Sequence, residues 1–142
     1  MKMRKALMSL LLIATIICLG FKPVSNPKAE AAGLKAATSW LKLVDAEKDS
    51  ESWEQAAKYF KGAVKKEQWL KVIKAVRKSS GKNISRKLKS KAYFTALPGA
   101  PKGKYVVIQF QSSFENKKSA VETITPMLDK DGKWRVSGYY IK

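Results

Sequence analysis

The chain has 142 residues, 29 Lys and Arg against 11 Asp and Glu, no histidine and one cysteine, for a formal net charge of +18. Without histidine, and with its one thiol at Cys18 in an apolar N-terminal run, it lacks the usual zinc and copper ligand sets and every histidine-dependent catalytic arrangement. The length fits one domain with one core, and the charge points to an anionic partner.

Lys2, Arg4 and Lys5 form a positive start, Ala6 to Phe21 is an uncharged and mostly apolar run, and Ala29-Glu30-Ala31 is a small-x-small pattern. This is the layout of a secretory signal peptide. It predicts a cleaved segment 1–31 and a single α+β domain over 32–142, exported to the periplasm or out of the cell. The apolar run falls short of the roughly 20 residues a comfortable membrane span needs, and an uncleaved N-terminal anchor is the alternative to cleavage. A lipidated cysteine follows a small residue, and Cys18 follows Ile17, so lipidation is not expected. The mature domain would then have no cysteine and no disulfide. Five basic residues (Lys2, Arg4, Lys5, Lys22, Lys28) and Glu30 lie in the cleaved segment, which leaves +14 of the +18.

Three amphipathic stripes follow. Ala37, Trp40, Leu41 and Val44 keep the i, i+3, i+4, i+7 spacing of a helix face, as do Trp53, Ala56, Ala57, Phe60 and Val64, and then Trp69, Val72, Ile73 and Val76. Each tryptophan reads as a core anchor. Ser52 and Gln55 are spaced as a capping box for the second helix, and Ser79-Ser80-Gly81 stops the third.

From Ile84 the period becomes two, which predicts four antiparallel strands. Pro98-Gly99 is a turn, a second turn falls at Asn116-Lys117, and Asp131-Gly132 is a two-residue hairpin turn. A following strand rather than a helix excludes a phosphate loop at Pro98-Gly99. Pro126, with no N–H, predicts a bulge or an edge. These turns pair Phe110 with Thr123, Val106 with Met127, Thr123 with Tyr140, and Met127 with Val136. One face then holds Leu88, Ala92, Phe94, Val106, Ile108, Phe110, Phe114, Val121, Met127, Val136 and Tyr140, to be covered by the helices. The other holds Tyr105, Val107, Gln109, Gln111, Glu122, Ile124, Tyr139 and Ile141. A one-residue bulge would exchange part of this assignment. The predicted architecture is α+β, three N-terminal helices packed on a four-stranded antiparallel meander. In order of elements it is similar to the cystatin-like and nuclear-transport-factor-like cones.

Lys58 to Lys91 contains thirteen basic residues and one acid, Glu67. Lys61, Lys65, Lys71, Lys74, Arg77, Lys78, Arg86, Lys87, Lys89 and Lys91 are the candidates for holding a polyanion: lipid head groups, envelope polymers or extracellular DNA bound for its charge. The dominance of lysine over arginine favours diffuse attraction, so no specific nucleic acid is expected. Thr123, Thr125, Gly138 and Tyr140 are the candidates for the wall of a pocket for a small apolar ligand. Tyr105, Gln109, Gln111, Glu122 and Tyr139, among apolar neighbours, are the candidates for a homodimer interface on the outer sheet face. Gln111 and Glu122 face each other on that side, but no catalytic constellation is present. A non-enzymatic binding module without metal or cofactor is the expectation, with the ligand pocket as the alternative.

The stretches "WLKLVD", "SWEQAAKYFK", "SRKLKS", "LPGAPKGKYVVIQF" and "SFENKKSAVETITPMLDKDGKWRVSGYYIK" resemble DUF4019, a family of exported bacterial proteins known only as a domain of unknown function. The resemblance runs from about Ala36 to Lys142, and the last two stretches are its most distinctive part. Where the family typically has Arg-x-Pro-Leu-Gly after the third helix, this chain has Arg77-Lys78-Ser79-Ser80-Gly81. The family implies no activity, cofactor or catalytic residue.

Overall fold

The computed structural model describes residues 21–142; the positive start, most of the apolar run and Cys18 lie outside them. Among the described residues four helices, α1 (Pro27–Asp45), α2 (Asp49–Glu54), α3 (Lys58–Ala63) and α4 (Lys66–Ser80), precede four strands, β1 (Asn83–Phe94), β2 (Tyr105–Phe114), β3 (Lys117–Leu128) and β4 (Trp134–Ile141). The strands form one antiparallel sheet in the order β1-β2-β3-β4, as expected of a meander. No helix among the described residues is long and apolar enough to cross a membrane.

Helix α1 begins at Pro27, whose missing N–H is harmless at a first helical position, and the Asn26 side chain accepts the Ala29 N–H at 3.1 Å. The Ala29-Glu30-Ala31 pattern lies inside this helix, with Ala29 buried. Gly33 sits where α1 crosses β2. A Cβ there would stand 2.7 Å from both Cβ and Cγ2 of Val106. Gly33→Ala should therefore lower stability by about 1–2 kcal/mol in urea unfolding, because the overlap outweighs the gain in helix propensity. An unchanged midpoint would mean the helix moves off the sheet freely.

The second predicted helix is two. Ala57 leaves the helical region at φ −59, ψ 150 and donates its N–H to Val136 O of β4 at 2.8 Å, so tertiary pairing overrides local propensity. Ser52 is not a cap. It lies within α2, donates to Asp49 O at 2.6 Å and accepts the Trp69 indole N–H at 2.9 Å, while Ser52 O accepts that of Trp40 at 2.8 Å. Trp40 and Trp69 are buried and Trp53 half-buried, with the Trp53 N–H on Val64 O. Trp40, Trp69, Phe60 and Tyr139 form a chain of tilted and edge-on ring contacts at 5.2–5.8 Å.

The register differs from expectation at both later turns. Glu115-Asn116, rather than Asn116-Lys117, closes β2 to β3, and one irregularity near Ser113 follows. Phe110 consequently pairs with Glu122, and Tyr105 with Met127. Shifting one residue turns β3 over. Glu122 and Ile124 therefore face the helices, and Thr123, Thr125 and Met127 face outward. The third hairpin closes with the Asp129 N–H donating to Lys133 O at 2.9 Å around three residues, with Gly132 at φ 82. A bulge at Ser137, opposite the Pro126 position that the sequence marks, then restores the pairs Thr123–Tyr140 and Ile124–Tyr139. Tyr139 faces the helices and Tyr140 outward, the reverse of the expectation, while Val136 stays in the core at 1% exposure. In β1 a bulge at Lys89 does the same, placing Tyr93 in the main core and Ala92 and Phe94 outside.

Part of the outer face is not solvated. The β1–β2 loop folds over it, and Leu97 and Ala100 join Phe94, Tyr105, Val107, Met127, Ala57 and Tyr59 in a second small apolar cluster. The Tyr105 hydroxyl donates to Pro101 O, and burial pushes its pKa up to about 12. Gly99 has the positive φ of 73 that its turn requires.

Candidate functional site

The charged groups divide sharply. Each of the three arginines among the described residues bridges two carboxylates. Arg77 holds Asp49 and lies 3.7 Å from Glu47, Arg86 holds Asp45 and Glu122, and Arg135 holds Asp129 and Asp131. The planar guanidinium fork serves two carboxylates at once with N–H groups fixed in direction, which a flexible ammonium does less well. Among the described residues the one lysine within 4.0 Å of a carboxylate is Lys66, on Glu54. The exposed lysines Lys71, Lys74 and Lys78 follow one face of α4, and Lys87, Lys89 and Lys91 project from β1, none with a carboxylate partner.

Glu122 is fully buried, and its oxygens receive four hydrogen bonds. Arg86 Nε and Nη2 donate at 2.6 and 3.2 Å, Ser112 Oγ at 2.6 Å and the Tyr139 hydroxyl at 2.6 Å. Burial, and then the adjacent Glu122 charge, push the Tyr139 pKa well above that of a free phenol. Burial works against the Arg86 charge, but its bonds to Asp45 and Glu122 outweigh this and hold the proton more firmly than usual. Each Glu122 oxygen accepts two hydrogen bonds, which fills its acceptor positions. The cluster is a polar knot in the core, and its Tyr139 also lines the neighbouring cleft.

Beside the knot lies a cleft of about 320 Å³ between the C-terminal ends of α1 and α4 and the sheet. Val44, Ile73, Val76, Phe114, Tyr139 and Ile141 give it apolar and aromatic walls, and Asp45, Glu47, Arg77, Lys82 and Asn83 lie on its lining. Arg77 closes one side, with Nη2 on Val44 O and Nη1 on Asp49, each at 3.1 Å.

The residues singled out in the sequence are thus redistributed. Arg77 and Arg86 are removed from the polyanion field by their carboxylates. Lys61 reaches Glu54 O at 3.0 Å and lies over the Trp53 ring, and Lys65 is exposed at the start of α4. Thr123, Thr125, Gly138 and Tyr140 are together, but on the outer face and away from the helix–sheet cleft, because β3 and the end of β4 are turned over. Of the residues expected on the outer face, Glu122 and Tyr139 belong to the inner knot and Tyr105 is sealed under the β1–β2 loop; Gln109 and Gln111 remain outside, bonded to Thr123 and to Ala120 O. The apolar outer patch therefore does not form as expected. The knot and the cleft were missed. The usable signal was the scarcity of arginine, with four Arg among 25 Lys. In such a chain an arginine marks a place where a lysine will not serve.

A search of the curated proteins finds no significant match. A family model described as protein of unknown function (DUF4019) matches residues 36–139, from the middle of α1 to the tyrosine of the knot, and the chain belongs to that family.

Proposed function

We propose that the protein is an exported, non-enzymatic binding domain that holds anionic polymers of the cell envelope or the extracellular space on the lysines of α4 and β1. The observation that carries this reading is the division of charge. Arginines engage most of the acids that could neutralise the surface, and the lysines of the field have no carboxylate within 4.0 Å. Ammonium groups on flexible stems suit a polymer of irregular charge spacing, and such binding weakens steeply as salt rises. The filled acceptors of Glu122 and the held proton of Tyr139 support binding rather than catalysis.

Immobilised heparin, as a generic polyanion, tests this. The domain is expected to be retained at low ionic strength and released by salt. The triple variant Lys71→Gln, Lys74→Gln, Lys78→Gln should elute at clearly lower salt with an unchanged unfolding midpoint. Retention indifferent to salt, or equal retention of the triple variant, would refute the proposal.

A further inference from the structure

We propose that the helix–sheet cleft is a second binding site, independent of the lysine field, for a small organic ammonium ion with an apolar body. A cleft of about 320 Å³ is at the lower end of small-ligand sites. Phe114 and Tyr139 offer aromatic surface to the body of a ligand, and an aromatic ring also attracts a cation. Both helices that frame the cleft end there, α1 at Asp45 and α4 at Ser80, so two sets of C-terminal carbonyls bring partial negative charge to its mouth.

Glu47 adds the specific feature. Helix α1 closes with the Glu47 N–H on Val44 O at 3.1 Å and the Lys48 N–H on Leu43 O at 2.9 Å. This closure normally places glycine at the left-handed position. Here Glu47 occupies it at φ 59, the one non-glycine residue with positive φ among those described. A side chain held in a disfavoured conformation points to a use for that side chain. Its side chain is 69% exposed on the cleft lining, and the nearest cation to its carboxylate is Arg77 Nε at 3.7 Å. An anionic ligand finds poorer partners. Arg77 Nη1 and Nη2 are already taken by Asp49 and Val44 O, and Arg86 by Asp45 and Glu122, while Arg77 Nε faces the Glu47 carboxylate. Lys82, also on the lining, has a flexible stem that can turn to water. The lining itself carries Asp45 and Glu47 against Arg77 and Lys82, so the cleft is charge-balanced within a strongly basic protein.

Phenethylamine and hydrocinnamate share a ring and a short chain and carry opposite charges. Titration of the domain, read by tryptophan fluorescence through the Trp40–Tyr139 contact and by NMR shifts, should show saturable binding of phenethylamine. Hydrocinnamate should bind roughly tenfold more weakly or not at all. Glu47→Gly should raise the unfolding midpoint, since it relieves the backbone, and should weaken amine binding several-fold; Glu47→Gln should weaken binding likewise. Preference for hydrocinnamate, binding of neither probe, or unchanged amine affinity in both Glu47 variants would overturn the proposal. Heparin retention plays no part in these outcomes, so either proposal can fail alone.

Discussion

Glu122→Ala is expected to destabilise the domain by about 3–5 kcal/mol, the range for removing one partner from a buried ion pair. Arg86 would keep Asp45 on its outer side but lose the carboxylate that satisfies its Nε, and Ser112 and Tyr139 would each bury a hydroxyl without its acceptor. The groups act as a unit, so their substitutions should not add. Changing Glu122→Leu, Arg86→Met, Ser112→Ala and Tyr139→Phe together should recover much of the loss, since an apolar replacement leaves nothing unpaired. Urea unfolding of the single and combined variants checks this. A loss below about 1 kcal/mol for Glu122→Ala would mean that water reaches the carboxylate.

Val136→Asp should cost roughly 4 kcal/mol or more, enough to unfold a domain of ordinary stability. Val136 is 1% exposed in a cluster of Trp, Phe, Ile and Val side chains, where an unpaired carboxylate has no partner. Val136→Ala should cost less, in the range of a small cavity. Loss of the cooperative unfolding transition in the Asp variant alone is the expected result. An Asp variant as stable as the Ala variant would show that the site opens to water.

Val136 also shows why the register was only half legible. Its burial was expected, but by a wrong route. The predicted turn at Asn116-Lys117 set β3 one residue off, which alone would have turned Val136 outward. The three-residue closure at Asp129–Lys133 corrected it. Tyr139, beyond the Ser137 bulge, gained no such correction and lies on the face opposite to expectation. The period-two pattern, the turn residues and the tryptophan-anchored stripes make element type and order readable, because they are local. Bulges at Lys89 and Ser137 depend on how strands pair, and a shift of one residue exchanges the faces. The knot was hidden for the same reason. Glu122 lies in "VETIT", where alternation leaves a glutamate free to face either way. Its burial becomes visible only once Arg86, 36 residues earlier, is known to stand opposite. The cleft depends on how two helix ends meet the sheet, which no local pattern encodes.

With its arginines taken up in carboxylate bridges and most lysines left unbridged, the fold's electrostatics are separable from its coat. Acylating the lysine amines, or exchanging lysines for neutral residues over generations, would strip the positive field while leaving the three guanidinium bridges intact. Surface lysines away from such ties contribute little to stability. The outer charge of this domain can therefore be adjusted, by chemistry or by mutation, to whatever surrounds it without disturbing how the chain folds.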